Sequence, residues 1–271
     1  SDILEFIVKT FVNPGEEVIV SQHAFAIYGL VTQMQNGTTI QVPAKNWGHD
    51  LQAMADAVTE KTKIIFVTNP NNPTGTYNSK AQLDAFLSQV PSHVIVLLDE
   101  AYFEYVDKPD YPNGIDYLAV YPNVVVTRTF SKAYGLASLR VGYGVSSEQL
   151  ADLMNRVRPP FNVDSLALAA AVACLKDENY VRQSKELNDQ GMSQLEAGFD
   201  QLNVNWIPSV GNFICFEIPN RAMEIFQGLL AKGVIVRPVA NYEMPGYLRV
   251  SIGTQQENQR FLLELKDLLA G

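Results

Sequence analysis

Short apolar runs alternate with amphipathic segments along the first half of the chain. From Asp50 to Val58, apolar residues recur at i, i+3, i+4 and i+7, a spacing that predicts a helix capped by Asp50. The run from His93 to Leu98 is apolar after its first residue, which is typical of a strand covered on both faces. Helices are predicted at 1–11, 25–34, 50–58 and 79–89, with Ser1 as the first N-cap, and strands at 17–21, 38–42, 63–68 and 93–98. This alternation predicts an α/β fold in which helices sandwich a mainly parallel, mixed sheet.

A proline pair divides the chain after residue 158. Strands at 123–126 and 140–145 and a helix at 147–157 precede it, and it is followed by helices at 165–175, 177–199, 221–232 and 255–269 and strands at 213–217, 234–237 and 247–251. Pro159 and Pro160 interrupt any helix and predict a hinge. We therefore expect a large domain over 1–158, to which the helix at 164–176 can also belong. Interdomain helices and a small C-terminal α+β domain are expected over 159–271.

The segment from Ser165 to Leu175 is rich in alanine and apolar on almost every side. A helix without a polar face is expected to be buried, either at an interface or in a core. Both a homodimer contact and a core helix fit this pattern.

The composition limits the classes of partner and location. Twenty-nine acidic and 20 basic side chains give a net charge of −9, so any phosphate site must be local and nucleic-acid binding is not expected. Cys174 and Cys215 lack CxxC spacing and lie in apolar surroundings, which favours buried free thiols in a reducing cytoplasm. Neither a membrane span nor a signal peptide is visible, and no two histidines share metal-ligand spacing. We expect a soluble cytoplasmic protein without a metal.

A lysine follows the predicted strand at 123–126 among small hydroxyl and glycine residues. Thr129 and Ser131 precede Lys132, and Arg140 comes eight positions after it. A partly buried lysine near another cation has a lowered pKa and can attack carbonyls, while hydroxyl and guanidinium donors can hold a phosphate. Covalent binding of pyridoxal phosphate (PLP) is one interpretation, and a solvated loop lysine is the other.

Two further strand ends carry residues able to take part in chemistry, which in open α/β sheets gather at such ends. Asn72 lies in the turn Asn69–Gly75, whose turn formers aim amide side chains, although a bare turn fits as well. Asp99 and Tyr102 follow the most apolar strand. A carboxylate buried there needs a partner, for which a pyridinium nitrogen would serve. Capping of the following turn is the alternative role for Asp99.

Three motifs together resemble the fold-type-I PLP-dependent aminotransferases. They are N-P-x-N-P-T-G at 69–75, D-E-A-Y at 99–102 and T-x-S-K-x-x-G-L-x-x-x-R-x-G at 129–142. The resemblance covers the whole chain, and the segments 158–163, 234–239 and 247–254 are most similar to the histidinol-phosphate aminotransferases. It implies a homodimeric enzyme that passes an amino group from L-histidinol phosphate to 2-oxoglutarate in histidine biosynthesis. The products would be imidazole acetol phosphate and L-glutamate.

The resemblance also implies a role for each candidate residue. Lys132 matches the lysine that binds the cofactor and moves the proton between the substrate α-carbon and the cofactor, and Asp99 matches the carboxylate that keeps the pyridine nitrogen protonated. Phe25 matches the ring stacked on the pyridine, although a core aromatic fits too, and the preceding His23-Ala24 departs from the Pro-Thr of relatives. Other matches are donors to the phenolic oxygen (Asn72, Tyr102), the phosphate cradle (Ser1, Asp2, Thr129, Ser131, Arg140) and groups for the substrate's anionic end (Arg237, Arg249).

Relatives are also expected to carry a segment before the position of Ser1. It would supply the glycines of the phosphate loop, part of the small domain and a tyrosine that reaches the partner subunit's site. The sequence leaves open whether this chain is a fragment. A non-catalytic fragment that binds a partner subunit is therefore one alternative. An aromatic amino-acid aminotransferase and a PLP lyase similar to threonine-phosphate decarboxylase are others, because they share Lys132, Asp99 and Arg140. For Arg249, an ion pair inside the small domain is also open.

Overall fold

A six-stranded sheet organises the larger part of the fold. The computed structural model describes residues 2–271 of the chain. The strands are β1 (Glu17–Ser21), β2 (Thr38–Val42), β3 (Thr62–Thr68), β4 (Ile95–Asp99), β5 (Val124–Thr129) and β6 (Gly142–Ser146). They lie in the order β2-β1-β3-β4-β5-β6, and every neighbouring pair is parallel except β5 and β6. The predicted mainly parallel, mixed sheet is therefore confirmed.

Helices cover both faces of this sheet. They are α1 (Asp2–Phe11), α2 (Ile27–Met34), α3 (Leu51–Asp56), α4 (Lys80–Leu87) and α5 (Glu148–Val157). Side chains of β3 alternate between two cores, because successive residues of a strand point to opposite faces. Ile64 and Phe66 pack with α1, α2 and α5, whereas Ile65 and Val67 pack with α3 and α4. All five residues of β4 are buried, as its unbroken apolar sequence predicts.

A smaller antiparallel sheet lies in the second half of the chain. After α6 (Ser165–Cys174), the elements are α7 (Glu178–Leu202), β7 (Trp206–Ile207), β8 (Phe213–Glu217), α8 (Ala222–Ala231), β9 (Arg237–Pro238), β10 (Tyr247–Ser251) and α9 (Gln255–Ala270). The strand order is β7-β8-β10-β9. Helices α7, α8 and α9 share one core with β8 and β10. This arrangement agrees with an α+β unit, while the domain boundary near residue 158 stays a prediction.

Several element boundaries differ from the sequence-based predictions. The strand expected at 234–237 is wrong for its first three positions, since β9 contains two residues, the second a proline that lacks an amide donor. β4 begins at Ile95, because the Val94 amide donates to the Pro91 carbonyl in a turn at 3.0 Å. α2 begins at Ile27, two residues later than predicted. The two-residue strand β7 was not predicted, since so short a run carries no periodicity.

The apolar side chains of α6 lie largely in solvent. Only Ala167 and Ala171 are buried, whereas Leu166, Leu168 and Val172 are more than half exposed. The interpretation of this segment as a core helix is therefore wrong. The other interpretation, a homodimer contact, stays a prediction.

The two cysteines are free in the structure. Cys215 is buried and Cys174 is partly exposed, so the prediction of buried thiols is confirmed for Cys215 alone. Within residues 2–271, no helix combines the length and the apolar character that crossing a membrane requires.

We expect the stability of the fold to depend on His49 below neutral pH. The ring is buried, its Nδ1 has no hydrogen-bond partner among residues 2–271, and burial lowers the pKa of the ring to about 4. The neutral ring is therefore favoured in the folded state, so stability is present above the ordinary histidine pKa and is lost as pH falls towards 4. The loss across this range should be about 3 kcal/mol. Urea unfolding at several pH values measures it.

The matched control is the exposed His93. In His49→Gln, a neutral amide replaces the ring, so the free energy of unfolding should fall less between neutral and acid pH than in the parent chain. His93→Gln should retain the parental pH dependence. An identical pH dependence in the parent and in His49→Gln would contradict the assignment.

Candidate active site

One cavity of about 450 Å³ lies at the carboxyl ends of β3, β4 and β5. This is the edge at which an open α/β sheet is expected to bind a ligand. The cavity wall contains every predicted site residue that the structure describes: Asp2, Phe25, Asn72, Asp99, Tyr102, Thr129, Ser131, Lys132, Arg140, Arg237 and Arg249. The remaining candidate, Ser1, lies outside the described residues.

Asp99 is buried at the end of β4, with 9% of its surface exposed. Its Oδ2 accepts a hydrogen bond from the Tyr28 hydroxyl at 2.8 Å, and its Oδ1 accepts one from the Thr127 hydroxyl at 3.0 Å. Burial raises the pKa of the Asp99 carboxyl, while these two hydrogen bonds favour the ionised form. Both side-chain donors are neutral, so the carboxylate is able to pair with a cation in the cavity.

Lys132 lies partly buried in the loop after β5, with its Nζ 5.3 Å from the centroid of the Tyr102 ring. Burial lowers the pKa of the Lys132 ammonium, the charges of Arg249 and Arg140 act in the same direction, and Asp99 opposes them. An amine in such surroundings loses its proton more readily and becomes a better nucleophile. The interpretation of Lys132 as a fully solvated loop lysine does not fit these surroundings.

Hydroxyl groups and a guanidinium lie together beside Lys132. Arg140 Nη1 donates to Ser131 Oγ at 3.4 Å, and the Ser131 amide donates to Thr129 Oγ1 at 3.1 Å. Arg140 has a φ of 52°, a left-handed conformation that is uncommon outside glycine and that concentrates at functional sites. Asp2 of α1 lies in the same wall. The hydroxyl groups and the guanidinium can hold a phosphate.

Aromatic and amide side chains form the rest of the central wall. Phe25 packs edge-on against the Tyr28 ring, with the ring centroids 5.8 Å apart, and also lines the cavity, so its stacking role and its packing role are compatible. Tyr102 packs edge-on against Phe213, and burial raises the pKa of its hydroxyl to about 12. The Tyr102 hydroxyl is therefore protonated at neutral pH and can donate a hydrogen bond. Asn72 Oδ1 accepts a hydrogen bond from Arg249.

Two arginines face each other across neighbouring strands at the other end of the cavity. Arg237 of β9 and Arg249 of β10 are directly opposite in the strand register. Like charges in that position repel unless an anion lies between them. No carboxylate lies within ion-pair distance of either guanidinium among residues 2–271, and Arg249 Nε is buried without a partner. The interpretation of Arg249 as an ion-paired residue of the small domain is therefore wrong.

Three side chains in the hydrogen-bond network of the Asp99 carboxylate were not predicted from the sequence. Tyr28 and Thr127 donate to the carboxylate, and the Thr68 and Tyr28 hydroxyls are 2.7 Å apart. Tyr28 is fully buried and stacks on Phe66 at 4.4 Å. The available signal was position near the end of a strand: Thr68 is the last residue of β3, and Thr127 lies two residues before the end of β5.

The fold and this cavity are those expected of an aminotransferase, and sequence comparison gives the same class of enzyme. The profile of the family described as Aminotransferase class I and II matches residues 1–265, and this chain belongs to that family. Within the family, histidinol-phosphate aminotransferases are among the curated relatives that it matches at 49–57% identity. Histidinol-phosphate aminotransferase 2 of Pseudomonas fluorescens strain Pf0-1 is 57% identical over 270 residues, and the homologue of Pseudomonas aeruginosa is 54% identical. Each match covers 100% of this chain and 73% of the relative.

Solved structures agree with the sequence relatives. The histidinol-phosphate aminotransferase of Sinorhizobium meliloti, solved in complex with pyridoxal-5'-phosphate, has a TM-score of 0.92 and 26% identity, and the match covers 99% of this chain and 74% of that one. A putative histidinol-phosphate aminotransferase from Erwinia carotovora atroseptica has a TM-score of 0.93 at 23% identity, over 99% of this chain and 79% of its own. At 23% identity, the similarity to the Erwinia protein concerns the fold alone. The fold-type-I architecture expected from the sequence is therefore confirmed.

Proposed function

We propose that this chain catalyses PLP-dependent transamination, with L-histidinol phosphate as amino donor and 2-oxoglutarate as acceptor, in histidine biosynthesis. One observation carries the chemistry: a buried carboxylate with neutral partners and a lysine of lowered pKa line the same cavity. The names of the curated relatives support the substrate.

The residues of the cavity fit PLP. Asp99 has no cationic side-chain partner within residues 2–271 and matches a protonated ring nitrogen. The Arg140 guanidinium with Ser131 and Thr129 matches a phosphate, and Phe25 offers a ring face. When bound, PLP supplies an electron sink for the breaking Cα–H bond of the substrate.

The protein's own groups position the reactants and move the proton. Lys132 Nζ, once free of its own proton, can take the proton from the substrate α-carbon and return it on the cofactor side, which is general acid and base catalysis. Asp99, held by Tyr28 and Thr127, stabilises a proton on the ring nitrogen. The Tyr102 hydroxyl and the Asn72 amide are the proposed donors to the phenolic oxygen.

The two arginines explain how one site accepts both substrates. Arg237 and Arg249 present two guanidinium groups from adjacent strands, and a guanidinium binds either a phosphate or a carboxylate through paired hydrogen bonds. Histidinol phosphate has a phosphate and 2-oxoglutarate has carboxylates. Use of the same arginines for both anions fits a cycle in which the first product leaves before the second substrate binds.

The deciding experiment for the proposed function is a half-reaction. The chain is mixed with PLP, and histidinol phosphate is then added without a keto acid while the absorbance is recorded. We expect the absorbance band of the lysine-bound cofactor to change when histidinol phosphate is added. We expect 2-oxoglutarate to reverse this change. A cofactor band that ignores histidinol phosphate but responds to an aromatic amino acid would favour the aromatic aminotransferase. Release of carbon dioxide from an added phosphorylated amino acid, which has the carboxylate that histidinol phosphate lacks, would favour the lyase. A chain that never forms the band would favour the non-catalytic fragment.

Replacing Arg249 with lysine should weaken substrate binding more than cofactor binding. A lysine keeps the charge but lacks the fork of donors that pairs with two oxygens of an anion, so KM for histidinol phosphate should rise by about tenfold to hundredfold. The affinity for PLP should change little, because Arg249 belongs to the arginine pair and not to the proposed phosphate cradle. Initial-rate kinetics and a PLP titration measure the two effects.

Arg260 provides the matched control for this substitution. It is exposed and donates to a backbone carbonyl of the small domain, so Arg260→Lys should leave KM unchanged. If Arg249→Lys has the KM of the parent, Arg249 is not part of the substrate site.

We also propose that α6 contributes to a homodimer interface. Its exposed apolar residues and the neighbouring Phe161, which is 95% exposed, form a surface that a second copy of the chain would bury. Light scattering of the parent chain and of Leu168→Glu tests this: the parent should be dimeric and the variant monomeric. A cytoplasmic location is proposed as well, in agreement with two free cysteines.

A further inference from the structure

A buried pair of opposite charges lies next to Asp99 in the chain. Glu100 and Arg128 have side chains that are 2% and 9% exposed, and Arg128 Nη2 donates to Glu100 Oε2 at 2.7 Å. Arg128 Nε donates to the same oxygen at 2.9 Å, and the Gly114 amide donates to Glu100 Oε1 at 2.7 Å. The approach of Gly114 is so close that an added Cβ would come within 2.6 Å of the carboxylate. The pair is therefore built into the surrounding backbone.

This pair connects the segments that carry the candidate site residues. The Glu100 amide donates to the Thr127 carbonyl at 2.9 Å, which ties the end of β4 to β5 directly after Asp99. Arg128 lies in β5 between Thr127, which donates to Asp99, and Thr129 of the proposed phosphate cradle. Its guanidinium lies 3.5 Å from the centroid of the Phe103 ring. Phe103 directly follows Tyr102 in the chain.

A second buried carboxyl group, that of Glu104, makes the Arg128 guanidinium harder to replace. Glu104 has a buried Oε2 without a partner, and burial raises the pKa of its carboxyl. Burial also raises the pKa of Glu100 to about 7, although the Arg128 charge opposes this change. Other titratable groups near the cluster are the hydroxyls of Tyr105, Tyr111, Tyr134 and Tyr143. Removal of Arg128 would leave two buried acids without their cation, a costly arrangement.

We propose that Arg128 is a positioning residue for the reaction: through Glu100 and Phe103 it holds Asp99, Tyr102 and Thr129 in the geometry that Lys132 requires. The expected effect of Arg128 on turnover rests on the proposed transamination. The expected effect of Arg128 on the geometry of the cavity does not depend on the substrate. A displacement of site residues by about 1 Å is enough to reduce a rate by about a hundredfold.

The competing explanation is that the pair only stabilises the fold, and a double variant separates the two. Arg128→Met alone strands the acids and should lower the melting temperature. In Glu100→Gln/Arg128→Met, both charges of the pair are gone and the glutamine can still accept from the Gly114 amide. The melting temperature should therefore return part of the way to the parental value, with Glu104 as the one acid of the cluster still without the cation. Arg156→Met, which breaks the exposed pair of Arg156 and Asp152, is the matched control for loss of an arginine.

Two readouts report the geometry of the site apart from turnover. The first is the pH midpoint of the absorbance of PLP bound to the chain. The second is the rate at which Lys132 reacts with an amine-specific reagent in the chain without PLP, followed by mass spectrometry. In the double variant both should differ from the parent, kcat should fall by about tenfold to hundredfold, and KM for histidinol phosphate should change less than kcat.

A double variant with the parental midpoint, Lys132 reactivity and kcat would overturn the proposal, and the pair would then be purely structural. If the double variant does not fold, Arg128→Lys decides by the same measurements, since it keeps the charge but loses the paired contact with Glu100. A parent chain that binds PLP but ignores histidinol phosphate would refute the proposed donor. The midpoint and the reactivity of Lys132 would still test Arg128 in that case.

Discussion

Replacement of Lys132 with alanine is expected to abolish both the covalent attachment of PLP and the turnover of histidinol phosphate. The amine is the one lysine in the cavity wall of the described residues, and its burial beside Arg249 and Arg140 favours the neutral, reactive form. Loss of a group that serves as general acid and base alone costs about 10²-fold to 10⁴-fold, and loss of the covalent step adds to this. Turnover should therefore fall by at least about 10⁴-fold.

Borohydride reduction followed by mass spectrometry measures the attachment directly. In the parent, a PLP adduct should be found on the peptide that contains Lys132, and in Lys132→Ala no adduct should form there. Lys61→Ala, which removes an exposed lysine that does not line the cavity, should behave like the parent. Turnover of Lys132→Ala at the parental rate, or an adduct on another lysine, would refute the role of Lys132.

Replacement of Asp99 with asparagine should leave PLP binding nearly intact while reducing turnover by about 10³-fold. The amide has the size of the carboxylate and can still accept a hydrogen bond from the Tyr28 hydroxyl. It has no negative charge, however, and cannot stabilise a proton on the ring nitrogen in a buried site where charge interactions are strong. Single-turnover kinetics separate the lost proton abstraction from any change in binding.

Tyr28→Phe is the companion variant for Asp99→Asn. It keeps the carboxylate and the stacking on Phe66 but removes one donor to Asp99, which is worth about 1 to 3 kcal/mol. The expected loss of turnover is therefore smaller than in Asp99→Asn. Equal turnover in Asp99→Asn and the parent would show that the charge of Asp99 has no part in the reaction.

Much of the fold could be predicted from the sequence because its elements have strong local patterns. β1, β2, β8 and β10 have the predicted bounds, since apolar runs between turn residues define a strand without reference to its neighbours. The capping of α3 by Asp50 was predicted for the same reason: its carboxylate accepts from the Ala53 amide three residues on. β9 was placed poorly, because its two residues are a strand only through pairing with β10.

The position of the candidate site could also be predicted from local sequence patterns. The motifs at 69–75, 99–102 and 129–142 lie at strand ends, and in a parallel sheet these ends meet at one edge, so their side chains were expected in one place. Tyr28 and the pair of Glu100 and Arg128 were missed as functional groups. Nothing in the order of residues says that Tyr28 reaches Asp99, 71 positions away, or that Arg128 reaches Glu100, 28 positions away.

The sequence by itself determined the alternation of strands and helices, the sheet edge at which chemistry is concentrated and the resemblance to an aminotransferase family. These features depend on local periodicity, turn residues and short motifs. Only the tertiary structure decided that Arg237 and Arg249 oppose each other, that Asp99 has neutral partners and that α6 is exposed. The physical reason is that burial, hydrogen-bond partners and charge balance come from contacts between segments far apart in the chain, and local sequence preferences do not encode them.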